Sequence, residues 1–355
     1  MTLIELTIKI VEWVQALAAA RGIDPSWAGF AAEVAIMCVL GGIVLAMVSV
    51  AGMLLIWMER KVSAHMQSRI GPNRVGPFGL FQSVADAVKL LLKEDISPRG
   101  KDLISFWLAP MLISVPAVMS FACFPYHKGW IPIDLDLGLL YLMAIGSAAV
   151  IIIFMAGYGS NNKYSMLGGM RTIAQIITYE IPAVLAVTAV VMTTGSLKMS
   201  TIVDAQSQVW NIFSVWGLIA FIIYIICATA ETNRTPFDLP EAESELVAGY
   251  HTEYTGMKFA LFFVAEYTNM VVVSAIASAV FLGGYYGPFG LGGASPVWML
   301  LKVIAMIYLM MWFRWTFPRL RIDQMMMFGW KVLLPISFAN IVLVGIWMAF
   351  KNLGQ

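Results

Sequence analysis

Charge is what this chain has least of. Only 12% of its 355 residues are Asp, Glu, Lys or Arg, against 60% hydrophobic, and the mean hydropathy is +0.81. Soluble domains carry about twice that charge, so the composition excludes a water-soluble enzyme and indicates a polytopic membrane protein. A net charge of +1 gives no reason to expect nucleic acid as a partner. Cysteine and histidine are also scarce. Cys38, Cys123 and Cys227 stand far apart in apolar runs with no CxxC pair and no zinc spacing, so they read as buried small hydrophobes. His65, His127 and His251 make no Ser/His/Asp set and no HExxH. A Gly-rich phosphate loop after a strand is missing too. The chain is therefore expected to bind no metal or redox cofactor of its own and to hold no complete active site. Its 24 Met and many aromatics read as packing and lipid-facing residues. Glu5, Glu12 and Asp24 do not fit an acid-poor targeting peptide.

Hydrophobic runs, by contrast, are plentiful. About 20 apolar residues span a bilayer, and the runs at 31–58, 103–124, 138–158, 173–193, 211–230, 259–283, 296–317 and 330–350 predict eight spans. The expected fold is all-α and polytopic, with residues 31–355 as one transmembrane domain. Residues 1–30 form an N-terminal extension, and Lys9 and Glu12 within its apolar first 20 residues suggest an amphipathic helix at the interface. Sixteen of the 22 bases fall on one side if the end after the first span is placed inside. By the positive-inside rule both termini then face out, and the large loops 59–102, 159–172, 231–258 and 318–329 face the cytoplasm or matrix. Lys302 and Arg314 lie closer to their helix ends than the buried acids do and are expected to snorkel.

The acids are not evenly spread. Glu231, Asp238, Glu241, Glu243, Glu245 and Glu253 crowd one inner loop, with Arg234 the only base among them. Asp238 and Glu241 have capping-box spacing, which accounts for the position of these acids but not for their excess over bases. Crowded carboxylates repel one another and shift toward neutral pKa, as proton carriers do; a metal site or a solvated loop are the other readings. Two more acids, Glu180 in Tyr179-Glu180-Ile-Pro182 and Glu266 in Ala-Glu-Tyr-Thr-Asn, lie inside spans. Burying a charge there costs about 2.5–3.5 kcal/mol or more, so such residues usually face a polar cavity and mark a pathway.

The first inner loop opens on Glu59-Arg60-Lys61. Its string Arg69-Ile-Gly71-Pro72-Asn73-Arg74-Val-Gly76-Pro77 enforces turns, and so predicts a shaped loop that docks a partner or borders a ligand entry. A helix from Pro77 to Lys93 should follow. Leu80, Phe81, Val84, Val88 and Leu91 stripe one face and Gln82, Asp86, Lys89 and Lys93 the other, so it should lie along the interface, as an anchor or as the roof of a cavity.

These strings, with Met166-Leu-Gly-Gly-Met-Arg-Thr172 and Glu231-Thr-Asn-Arg-Thr-Pro-Phe-Asp-Leu, stand in the order found in a known family. Over about residues 31–350 the chain resembles the H subunit of proton-pumping NADH–quinone oxidoreductase (respiratory complex I), whose mitochondrial counterpart is NADH dehydrogenase subunit 1. The resemblance implies a membrane subunit that forms the quinone access tunnel with the peripheral arm and couples quinone reduction to proton translocation. It implies a tunnel side of Glu59, Arg60, Asp86 and Arg234. The proton path it implies is Glu180, Glu231, Glu241, Glu243 and Glu266, and the docking loop is Arg69, Gly71, Pro72, Asn73, Arg74, Gly76 and Pro77. A ubiquinone-like quinone would be the substrate. FMN and iron–sulfur clusters would sit in partner subunits. The implied partners are the peripheral-arm subunits with the terminal cluster and the quinone headgroup site, and the small and antiporter-like membrane subunits. The implied compartment is the bacterial inner membrane, with the mitochondrial inner membrane as alternative. A similar subunit in ion-pumping hydrogenases keeps that activity open. Two other readings remain: a free-standing antiporter, which would need paired broken helices, and a structural anchor, which has no use for Glu180 and Glu266.

Overall fold

A computed structural model describes residues 25–238, 248–288 and 293–353, with Lys9, Val11, Glu12, Val14 and Gln15 of the N-terminal stretch. Residues 1–51 and 52–355 form two compact units. In the first, Lys9 and Glu12 are exposed and Val11 is buried. Cys38 is exposed there, against expectation. The stretch that carries it also exposes Met37, Val39 and Ile43, as a helix facing hydrocarbon does.

Helices run in the order α1 (Pro25–Met66), α2 (Gln82–Leu92), α3 (Leu103–Leu112), α4 (Ser114–Ser120), α5 (Gly138–Gly159), α6 (Lys163–Thr194), α7 (Met199–Asp204), α8 (Val215–Glu231), α9 (Gly256–Phe281), α10 (Pro296–Thr316), α11 (Ile322–Phe328) and α12 (Leu334–Leu353). Among the described residues there is no strand, and seven stretches are long and apolar enough to cross a membrane. The eighth expected span, 211–230, falls on α8, which is apolar but only 17 residues long and so stands outside those seven. The protein is an all-α, multi-pass membrane protein. Large apolar side chains such as Ile151, Trp312, Val342 and Phe350 point outward, where a soluble protein would place polar ones.

Several boundaries differ from the sequence expectation, each for a visible reason. α1 does not end at 58. No Gly or Pro stands between Gly52 and Gly71, so the helix runs on to Met66 and carries Glu59, Arg60 and Lys61 itself. α6 begins at Lys163, capped by the Asn162 side chain on the Tyr164 N–H at 2.9 Å, so the expected 159–172 loop shrinks to a few residues. Gly168 and Gly169 fall within that expected loop, yet Gly168 serves close packing: a Cβ there would lie 2.7 Å from Gly249 Cα. The 318–329 loop is likewise shortened by α11, which joins α12 through a π-helical turn at Gly329–Leu333. The helix expected over Pro77–Lys93 is split. Phe78 and Gly79 take positive φ, so a short 3₁₀ turn precedes α2.

The core sits between α6, α8, α9, α10 and α12, where Tyr179, Met270, Phe281 and Met310 are fully buried. A second cluster, with Phe106, Ile153, Ile176, Tyr254 and Phe262, joins α3, α5, α6 and α9. Between the two clusters lies the site.

Candidate functional site

α8 ends at Glu231, and the chain then turns sharply back through Asn233, whose φ is +51°, to a cis Thr235–Pro236 peptide. Gln175 of α6, fully buried, grips this turn. Its amide donates to the carbonyls of Ala230 at 2.7 Å and Phe237 at 2.8 Å. With the turn held, Arg234 points inward, 3% exposed.

Arg234 lies at the centre of a buried charge network. Its Nη1 donates to both oxygens of Glu59 on α1, at 3.0 and 2.9 Å. Its Nε stands 3.4 Å from Glu266 Oε1 on α9. The guanidinium also covers the Tyr267 ring, 4.5 Å from its centroid, and the Tyr267 hydroxyl donates to Glu59 at 2.8 Å. Arg314 of α10 completes the set with a short bond to Glu59 Oε1. Two carboxylates thus face two guanidiniums. Burial opposes the charge on Arg234, but Glu266 and Glu59 outweigh it and hold its proton more tightly than in free arginine.

A cavity of about 60 Å³ opens on the other side of Glu266, and Glu231, Asn233, Asn269, Ser120 and Tyr250 also line it. A water needs roughly 10–15 Å³ on this scale, so several fit. Asn269 lines it together with Glu231. Gly146 of α5 also faces in: a Cβ at that position would stand 3.4 Å from Glu231 Oε1. The next residue, Ser147, donates a short hydrogen bond to Glu180 Oε1 on α6. Glu180 therefore lies outside the cavity wall, one residue of α5 away from it.

Of the expected tunnel residues, Glu59 and Arg234 meet directly. Arg60, one residue on along α1, pairs instead with Asp86 of α2 at 2.6 Å, with Gln82 3.4 Å from the same carboxylate. The Trp57 indole donates to Phe78 O at 3.2 Å, so the end of α1 holds both α2 and the 3₁₀ turn that precedes it. Arg69, Asn73, Arg74 and Gly76 are exposed on the loop between them, with Gly71, Pro72 and Pro77 in the same turn string. Glu241, Glu243 and Glu245 lie outside the described residues, and with Glu241 the second half of the expected capping box. Glu253 accepts from Asn162 at 2.6 Å, at the start of α6. Among the described residues no three His, Cys, Asp or Glu converge to hold a metal.

Sequence reasoning missed several members of this site. Arg314 does not snorkel, because Glu59 lies within its reach. Tyr267 and Asn269 sit one and three residues after Glu266, a spacing that carries Asn269 to the same helix face. Gln175 gave no local signal, since its partners are backbone groups 55 and 62 residues away.

Apolar helices packed around buried, paired charges and a small cavity that two carboxylates line define a polytopic membrane protein with ionisable groups in its interior. A family model described as NADH dehydrogenase matches residues 39–345. The chain is 52% identical over 297 residues to the H subunit of the NADH-quinone oxidoreductase of Dehalococcoides mccartyi, covering 83% of this chain and 82% of that one. It is 51% identical to the H subunit of Carboxydothermus hydrogenoformans, over 85% of this chain and 86% of the relative. To that of Brevibacillus brevis it is 47% identical, over 92% and 96%. The chain belongs to the NADH dehydrogenase family, among the H subunits of NADH-quinone oxidoreductase.

Proposed function

We propose that this chain is the membrane subunit that brings quinone to the peripheral arm of an NADH–quinone oxidoreductase and relays the resulting protonation into the membrane arm. The observation that carries this reading is the continuity from the Glu59–Arg234–Glu266 network to the cavity holding Glu231.

The tunnel side is Glu59, Arg60, Asp86 and Arg234. Arg60 and Asp86 clamp α2 to α1, and a hydrophobic quinone would enter beside them. Its headgroup would meet a partner subunit whose iron–sulfur cluster, fed from FMN in the peripheral arm, delivers electrons. Each quinone reduced to quinol takes up two electrons and two protons, so reduction draws protons from groups along the path. Arg234 responds to that demand through its counter-charges. A proton that settles on Glu266 leaves the guanidinium with Glu59 alone, and one that leaves Glu266 restores the pair. Each change alters the charge facing the cavity, and the carboxylates that line it respond as a group. Glu231 takes part through the cavity water and Asn269, and Glu180 through Ser147. Glu241 and Glu243, from the same inner loop, extend the path toward the peripheral arm. Arg69 to Pro77 forms the docking loop. The small and antiporter-like membrane subunits receive the relay. We place the inner loops on the cytoplasmic side of a bacterial inner membrane, with both termini outside and residues 1–30 as an interfacial extension.

The test uses the whole complex with Glu180→Gln, Glu231→Gln or Glu266→Gln. Glutamine keeps the shape of each side chain and removes its proton site. The expected outcome is normal assembly with proton pumping per NADH reduced severalfold. Full pumping in all three assembled variants would leave the anchor reading in its place. Proton exchange by the purified subunit alone would favour the antiporter.

A further inference from the structure

The end of the molecule opposite the acidic loop holds a second buried charge, which the reading above does not use. Lys302 is 8% exposed and does not reach for solvent. Its Nζ donates to the carbonyls of Leu282, of Gly284 at 2.9 Å and of Tyr286 at 2.6 Å. Those three acceptors match the three N–H groups of an ammonium. The Trp210 ring covers the same nitrogen, 4.2 Å from its centroid.

The segment so gripped follows directly on α9, the helix that carries Glu266. It is held from a second side by Asp204, which accepts from the Tyr285 hydroxyl at 2.7 Å and the Tyr286 hydroxyl at 2.8 Å. Gln206 and Asn211 close the helix end itself, donating to Ala279 O at 2.9 Å and Val280 O at 2.8 Å. The last carbonyls of a helix have no partner within the helix and need one outside it. Here side chains from the 198–213 segment and α10 take them.

The route from the acidic cavity to this end runs through buried protein. Asn269 is the last polar lining group along α9. From Met270 to Phe281 every residue except Val271 is buried, a length of roughly 18 Å at 1.5 Å per residue. The two hydroxyls of the stretch and the one set against it are committed, the Tyr224 hydroxyl donating to Val273 O at 3.2 Å. Ser278 donates to Ser274 O at 2.8 Å, and Ser274 meets the Met310 sulfur at 4.0 Å.

We propose that Lys302 and its carbonyl cradle form an insulating seal, which stops protons of the acidic cavity from leaking along α9 to the opposite face of the membrane. With its hydroxyls engaged, the buried stretch leaves no side chain among the described residues placed to relay a proton. The fixed ammonium at its far end repels cations in a medium of low dielectric, as fixed positive charges do in proton-excluding pores. This goes beyond the proposed relay and rests on it only in that the chain works in an energised membrane.

The test is a passive-leak measurement on the whole complex in proteoliposomes, carrying Lys302→Met, Lys302→Arg or Trp210→Leu. An imposed pH gradient is followed without NADH, and NADH oxidation is then measured with and without a protonophore. For Lys302→Met the gradient should decay on the order of tenfold faster, equivalent to about 1.4 kcal/mol off the barrier. Turnover with protonophore should stay near wild type, while its stimulation by protonophore is lost. Lys302→Arg keeps the charge and should stay tight. Wild-type tightness in assembled Lys302→Met would overturn the proposal and leave Lys302 as a fold staple. If that variant does not assemble, Trp210→Leu decides: it uncovers the ammonium and should leak, and a tight Trp210→Leu complex overturns the proposal as well. Because the leak is read without NADH, its outcome is separate from any failure of the glutamate relay.

Discussion

Replacing Arg234 by methionine would leave Glu59 and Glu266 in the interior with only Arg314 as counter-charge. Breaking a buried ion pair from one side costs about 3–5 kcal/mol, because the carboxylates left behind stay buried with less counter-charge. We expect Arg234→Met to lower the yield of assembled complex and its thermal midpoint well below those of the glutamine variants. Arg234→Lys keeps one charge but cannot reach both Glu59 oxygens and Glu266 together, so its loss should be intermediate. Native gels and thermal unfolding of the purified complex check the order. Equal stability of Arg234→Met and wild type would mean that the network is solvated. The side chains with legible roles in the sequence were those whose chemistry conflicts with their surroundings. Glu180 and Glu266 stood out because acids in an apolar run are costly. Arg314 did not, because a base near a helix end has an inexpensive alternative in snorkelling, and only the position of Glu59 removes it.

Among the helices, α6 shows how an ambiguous local signal is settled. Gly168 and Gly169 look like loop residues, and the helix passes straight through them because the 248–250 segment needs the space. The Ser165 hydroxyl donates to Tyr250 O at 2.9 Å beside that contact. Gly168→Ala would put a methyl against the backbone of Gly249, where no side chain can yield. Overpacking of this kind typically costs about 1–3 kcal/mol. The expected result is displacement of the Gly249–Tyr254 segment and weaker assembly, read as faster proteolysis of the inner loop. The same substitution at Gly41, which has nothing within 4 Å, should be silent in that assay. α1 makes the complementary point. Its length beyond the expected boundary turns Glu59 from a loop residue into one face of a helix and Arg60 into another. That is why two adjacent residues serve two separate contacts.

The molecule as a whole should be sensitive to acid through His251. This imidazole is buried against Tyr250, Phe259 and Phe263, and its Nδ1 makes no hydrogen bond among the described residues. Burial pushes its pKa down from 6.5 to about 4. Between those values the unfolded chain binds a proton that the folded chain does not, so stability is full above pH 6.5 and falls as pH drops toward 4. His251→Phe keeps the aromatic packing and removes the titration. The loss of thermal midpoint between pH 7.5 and 5 should therefore be smaller in the variant. An identical pH dependence in both would show that His251 is solvated when folded. Membrane class and the presence of acids within the long apolar helices were legible along the chain, whereas the eighth expected span came out as a 17-residue helix. Hydrocarbon leaves a backbone no choice but to satisfy itself within each helix, so apolar length is enough to read them. The pairing of those acids was not legible, because it joins residues far apart in sequence. Arg234 lies 175 residues from Glu59, Tyr267 lies 208 and Arg314 lies 255. Such contacts depend on which helix faces pack together, and close packing of the whole bundle decides that.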